Sequence, residues 1–239
     1  TGNLSGQDII EIICKQPATI RFIARHLYNF FVADEPQVPA WSVKAPIDPA
    51  AVNILADALA ESDLNIRYTL RVLFNSEFFK NARFKKLKSP AEVVIGTLRL
   101  VGGSDFPGPG FGNLSRQTGY MGQELLNPPS VEGWHTGIEW INSGSLMRRT
   151  NFFTDTISIT SRPGIKKMVA WVRKQEINSA EEFVDVCLSL FGPLEIDKPT
   201  HEELTQHVNG KAVFENDRLK TEQLETKDIV ELLQLIVSL

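Results

Sequence analysis

Glu132, His135 and Glu139 set an imidazole between two carboxylates inside one short stretch, Asn127-Pro-Pro-Ser-Val-Glu-Gly-Trp-His-Thr-Gly-Ile-Glu-Trp140. Such a trio can hold a divalent metal, or work as a general acid and base, if the fold makes the three converge on one point. The spacing is not that of a helical zinc motif, and prolines and glycines interrupt the stretch. Hydrogen bonding that pins the loop is the simpler role, so neither a metal nor a cofactor is expected. Trp134 and Trp140 could stack on a sugar ring, with Glu132, Glu139 and Asn142 bonding its hydroxyls, or they could plug into a core. Core packing is the simpler reading of the two indoles.

Five arginines are the next candidates. Arg21, Arg25, Arg99, Arg148 and Arg149 all lie in apolar-rich helical patterns, where a guanidinium needs a carboxylate or carbonyl partner. Glu92, Glu132 and Glu139 are available, which predicts salt bridges tying the helices to the aromatic loop. The sharper alternative is a site for a carboxylate, sulfate or phosphate, with Arg21, Arg25 and Arg99 as its binding residues. His26, His201 and His207 have no companions at ligand spacing and read as structural or surface groups. The sequence holds no nucleophile elbow, phosphate-cradling loop or dinucleotide fingerprint. Gly102–Gly110 is glycine-rich, but it follows a helical pattern and its prolines remove donor N–H groups.

The elements that must position these residues are helical. Apolar residues recur at three- and four-residue spacing along almost the whole chain, whereas period-two alternation is confined to Thr156-Ile-Ser-Ile-Thr160. Ser5 and Asp8 form a capping-box pattern for a helix over 7–15, with Ile9, Ile10, Ile12 and Ile13 as its buried face. Pro17 suits the first turn of a helix to Val32. The prolines of Asp34–Pro49, around Trp41, predict an irregular loop. Further helices are expected after Asp48, Asn65 and Ser76, and over 90–101 behind a serine-proline-x-glutamate cap. Ser104–Tyr120 reads as a long surface loop, with a short helix over 119–126. The remaining helices are expected from Ser143 or Ser145 to about Thr156, and over 164–174, 180–191, 201–208 and 227–239. Ser179 with Glu182, and Thr200 with Glu203, supply capping boxes.

The expected fold is therefore all-α, an irregular bundle of eight to ten helices with long Gly/Pro/Trp-rich loops. Aromatics thin out after Arg162-Pro-Gly164, which divides a core module (1–162) from a C-terminal helical subdomain (163–239). With 239 residues, 42% hydrophobic and 23% charged, the chain can bury a proper core. A net charge of −4 gives no basic footprint and argues against nucleic-acid binding. No run approaches the ~18 apolar residues of a membrane span. Cys14 and Cys187 sit far apart in apolar patterns and read as free buried thiols. The start at Thr-Gly-Asn without methionine predicts a fragment or a processed product.

Four ordered blocks carry a family resemblance. Gln16-Pro-Ala-Thr-Ile-Arg-Phe-Ile-Ala-Arg-His-Leu-Tyr-Asn-Phe-Phe-Val32 is followed by Ile66-Arg-Tyr-Thr-Leu-Arg-Val-Leu-Phe-Asn-Ser-Glu-Phe-Phe79. Lys88-Ser-Pro-Ala-Glu-Val-Val-Ile-Gly-Thr-Leu-Arg99 comes next, then Met121-Gly-Gln with Asn127–Trp134 and Trp140-Ile-Asn. Together they resemble the C-terminal half of the bacterial family called domain of unknown function 1800. The resemblance implies a helical, often exported (periplasmic or extracellular) protein, with a sulfatase-like neighbour as partner and an N-terminal half that is missing here. It implies no established reaction. The combined expectation is a non-catalytic scaffold or interaction module. A polysaccharide- or anion-binding module and a metal- or acid–base-dependent hydrolase fragment are the alternatives.

Overall fold

The computed structural model describes residues 2–102, 111–134, 136–210, 214–215, 218–219 and 225–239. The readings made for His135 and for Gly103–Gly110 lie outside these residues. The fold is all-α, with twelve α-helices among the described residues and one antiparallel pair of two-residue strands, β1 (Phe214–Glu215) and β2 (Arg218–Leu219). Packing groups the chain into two compact units, residues 1–89 with 130–141, and residues 90–129 with 142–239. The composition shift after Arg162 falls inside the second of these.

The first unit holds α1 (Gly6–Cys14), α2 (Pro17–Phe31), α3 (Pro49–Glu61), α4 (Ile66–Asn75) and α5 (Glu77–Lys80). Starts follow the cap chemistry. Ser5 and Asp8 form the complete box on α1, Asp48 accepts from Ala51 N at the head of α3, and Asn65 accepts from Tyr68 N at the head of α4. Ala24, Tyr28, Val52, Leu55, Leu59 and Leu73 centre the core where α2, α3 and α4 meet. Two expectations need correction. Ile9, Ile10, Ile12 and Ile13 are 47% to 56% exposed, because α1 packs only lightly on α2. The proline-rich loop also contains a 3₁₀ turn over Val38–Ser42, which Pro39 can open because its first N–H needs no partner.

The second unit comprises α6 (Pro90–Val101), α7 (Phe111–Tyr120), α8 (Ser143–Ile157), α9 (Pro163–Val172), α10 (Ala180–Ser189), α11 (Lys198–Asn209) and α12 (Thr226–Ser238). Its larger core gathers Ile157, Ile165, Val172, Phe183, Cys187 and Leu233, and a smaller one joins Val93, Val94, Leu98, Met121 and Phe152. Burial pushes the Cys187 thiol up and leaves it inert, and both cysteines are free.

Here α7 replaces part of the expected loop. Leu114 packs on the smaller core, so tertiary contact overrides two weak helix formers, Gly112 and Gly119. The helix expected over 119–126 is absent, since Gly122 turns the chain at φ 100°. Thr156 and Ile157 belong to α8 and not to a strand. Asp197, three residues before Thr200, caps α11 by accepting from Thr200 N. No helix of the described residues is long and apolar enough to cross a membrane.

Candidate functional site

The chemistry-bearing residues of the first unit collect around the proline-rich loop between α2 and α3. The centre is Arg25, buried on α2. Its Nε and Nη2 both donate to Glu35 Oε2, at 2.9 and 2.7 Å, while Nη1 donates to Lys44 O and Nη2 to Ala45 O. Glu35 is fully buried as a side chain and accepts at Oε1 from Ile47 N, 2.9 Å away. Asn29 Oδ1 in turn accepts from Glu35 N. One ion pair therefore fixes both ends of a loop that has little regular structure of its own.

Trp41 closes the other side. Its indole N–H donates to Pro36 O at 2.6 Å, and the Arg25 guanidinium lies 4.5 Å over its ring. His26 sits between Phe22 and Trp41, at ring distances of 4.5 and 4.6 Å. That partial burial lowers the His26 pKa from its ordinary 6.5, because the imidazolium loses hydration. The folded state then binds fewer protons than the unfolded chain, and stability should fall as pH drops below about 6.5. Unfolding midpoints at pH 7.5 and 5.5 should differ less in His26→Gln than in the parent chain. An equal pH response in both would show that His26 titrates as if free.

The aromatic stretch returns to this loop. Gln37 Nε2 donates to Thr136 O at 2.9 Å. Gly137, at φ 63°, passes so close to Asp34 that a Cβ there would lie 2.9 Å from the Asp34 Cβ. Asp34 is itself held by Lys86 Nζ and by Leu87 N. Trp140 is 7% exposed. Trp134 is half-buried, and its indole nitrogen is out of solvent without a hydrogen-bond partner among the described residues.

Three adjoining clefts surround the loop. One of about 370 Å³ is lined by Arg21, Phe22, Arg25, Trp41, Lys44 and neighbours. A second of about 560 Å³ is lined by Glu35, Lys44, Lys85, Thr136, Ile138 and Glu139 among others. The third, about 210 Å³, is lined by His26, Asn29, Gln37, Ser130, Glu132 and Trp134 among others.

The residues singled out from sequence are thus distributed unevenly. Glu132 and Glu139 are exposed and line different clefts. Arg25 pairs with Glu35 of the proline-rich loop and not with Glu92, Glu132 or Glu139, because chain return brings Glu35 directly beneath α2. Arg21 is exposed at the first cleft, and Arg99 is exposed on α6 in the second unit. Asn142 spends its side-chain oxygen capping α8, accepting from Ser145 N at 2.9 Å. Among the described residues no three His, Cys, Asp or Glu side chains gather as a metal site. Sequence reading missed Glu35, Gln37 and Lys44. The signal in the sequence is an aromatic in a proline-rich loop beside a carboxylate, the same combination that surrounds Trp134.

A profile of the family described as Protein of unknown function (DUF1800) matches residues 1–238. The chain belongs to this family. The match extends through the C-terminal segment, beyond the four blocks that carried the resemblance. No curated protein and no solved structure matches the chain.

Proposed function

We propose that this DUF1800 member is a non-catalytic contact module of an exported protein, acting through the surface that the first unit builds around the 34–49 loop. The observation that carries this reading is the separation of Glu132 from Glu139, which face different clefts. Acid–base catalysis needs two groups converging on one substrate, and two carboxylates that line different clefts argue against such a pairing. The buried charged groups among the described residues of the unit, Arg25 and Glu35, are consumed in holding the loop. Export and a sulfatase-like partner enter through the family resemblance alone.

Turnover assays of the whole chain on chromogenic glycosides, carboxylic esters, phosphate esters and sulfate esters should give the buffer rate. Glu132→Gln and Glu139→Gln should leave that result unchanged. A rate above buffer that falls in either variant would return the chain to the hydrolases. Co-precipitation with the sulfatase-like neighbour tests the partner separately.

A further inference from the structure

The three clefts adjoin through shared walls. Lys44 lines the first and second, and Gln37 and Thr136 line the second and third. We propose that they form one groove around the 34–49 loop and that it holds an extended acidic polysaccharide, a uronate-type chain with a carboxylate on its sugars.

Charge decides the polarity of the occupant. Among the described residues no acidic side chain lines the first cleft, and Arg25 there is neutralised from behind by Glu35. Arg21, Lys44 and Lys85 are exposed and form no ion pair among the described residues. Three acids line the second cleft: Asp34 is paired with Lys86, Glu35 with Arg25, and the exposed Glu139 has an interaction of its own. The cationic stretch therefore meets carboxylates at intervals along the groove, and guanidinium and ammonium groups bind these well.

The third cleft supplies what hydroxyls need. Asn29, Gln37, Ser130 and Glu132 offer donors and acceptors beside the Trp134 indole, an amphipathic plate suited to a sugar ring. An extended peptide would seek a free strand edge, and the walls here are helices and loops. Nucleic acid would need many more cations than three on a chain of net charge −4.

The proposal rests on the non-catalytic reading only in that the strand is held and not cut. Titration calorimetry of the whole chain with a short oligogalacturonate should show binding that weakens as salt is raised. Arg21→Glu, Lys44→Glu and Trp134→Ala should each weaken it about tenfold. Arg21 and Lys44 are exposed, so their variants should keep the parent unfolding midpoint, which makes them the deciding pair. Dextran should not bind, and polyglutamate should bind far more weakly than the uronate. Absent binding, binding indifferent to both charge reversals, or equal binding of polyglutamate would overturn the proposal. Recovered oligomer of unchanged length keeps the non-catalytic reading, whereas shortened oligomer would refute that reading and leave the groove standing.

Discussion

Glu35→Ala is expected to destabilise the first unit by about 3–5 kcal/mol, because it strands a buried guanidinium without its counter-charge. Arg25 and Glu35 have side chains 6% and 0% exposed, and both guanidinium contacts to the carboxylate are shorter than 3.0 Å. The loss goes beyond the pair, since Ile47 N also gives up its acceptor. For a unit of roughly a hundred residues such a loss lowers the melting temperature by well over ~10 °C. Glu35→Gln should be milder, because an amide oxygen can still accept from Ile47 N.

The double variant Arg25→Met with Glu35→Leu should recover part of the stability, as uncharged replacements of buried pairs often do. Recovery should stay incomplete, because Lys44 O and Ala45 O would lose their donor. Denaturant titration of the four chains provides the test. A Glu35→Ala midpoint equal to that of the parent would mean that water reaches the guanidinium and that the pair does not hold the loop.

Helices were legible in this sequence at most starts that local chemistry sets, although α11 is capped by Asp197 and not by Thr200. Ser5, Asp48, Asn65, Ser76 and Ser179 all cap the helices assigned to them, each accepting from a backbone N–H. Pro17 opens α2 as its fixed φ suggests. What local pattern cannot specify is which face finds a partner. The isoleucines of α1 have the spacing of a buried stripe and remain exposed, whereas α7 forms over glycines because Leu114 reaches a core.

The same limit governs the site. A buried arginine on α2 was expected from its apolar neighbours, and the need for a carboxylate followed from desolvation. Its identity depended on how the proline-rich loop folds back ten residues later, which spacing does not encode. Glu132 and Glu139 looked like one cluster because they are close along the chain. The turn at Gly133 and the close approach of Gly137 to Asp34 accompany their placement on separate clefts.

Gly164→Ala should cost the second unit about 3 kcal/mol, at the upper end of what overpacking a dense interior does. In the sequence, Arg162-Pro-Gly164 reads as punctuation between helical patterns. In the fold it is a crossing point, where the first turn of α9 lies against the last turn of α6. A Cβ on residue 164 would sit 2.3 Å from Leu100 O and 2.6 Å from the carbonyl carbon of Val101. Both obstacles are backbone, so no side-chain rotation relieves them, and one helix must shift. Val101 and Ile165, fully buried in the larger core, would move with it, and Arg162 would lose its hold on Gly102 O. Gly96, within α6 itself, supplies the control. Nothing lies within 4 Å of a Cβ added there, so Gly96→Ala should stabilise the same helix by about 0.5–1 kcal/mol through lost unfolded-state entropy. Opposite signs for the two glycine variants in denaturant unfolding are the expected result. A Gly164→Ala chain as stable as the parent would show that α9 does not rest on the α6 backbone.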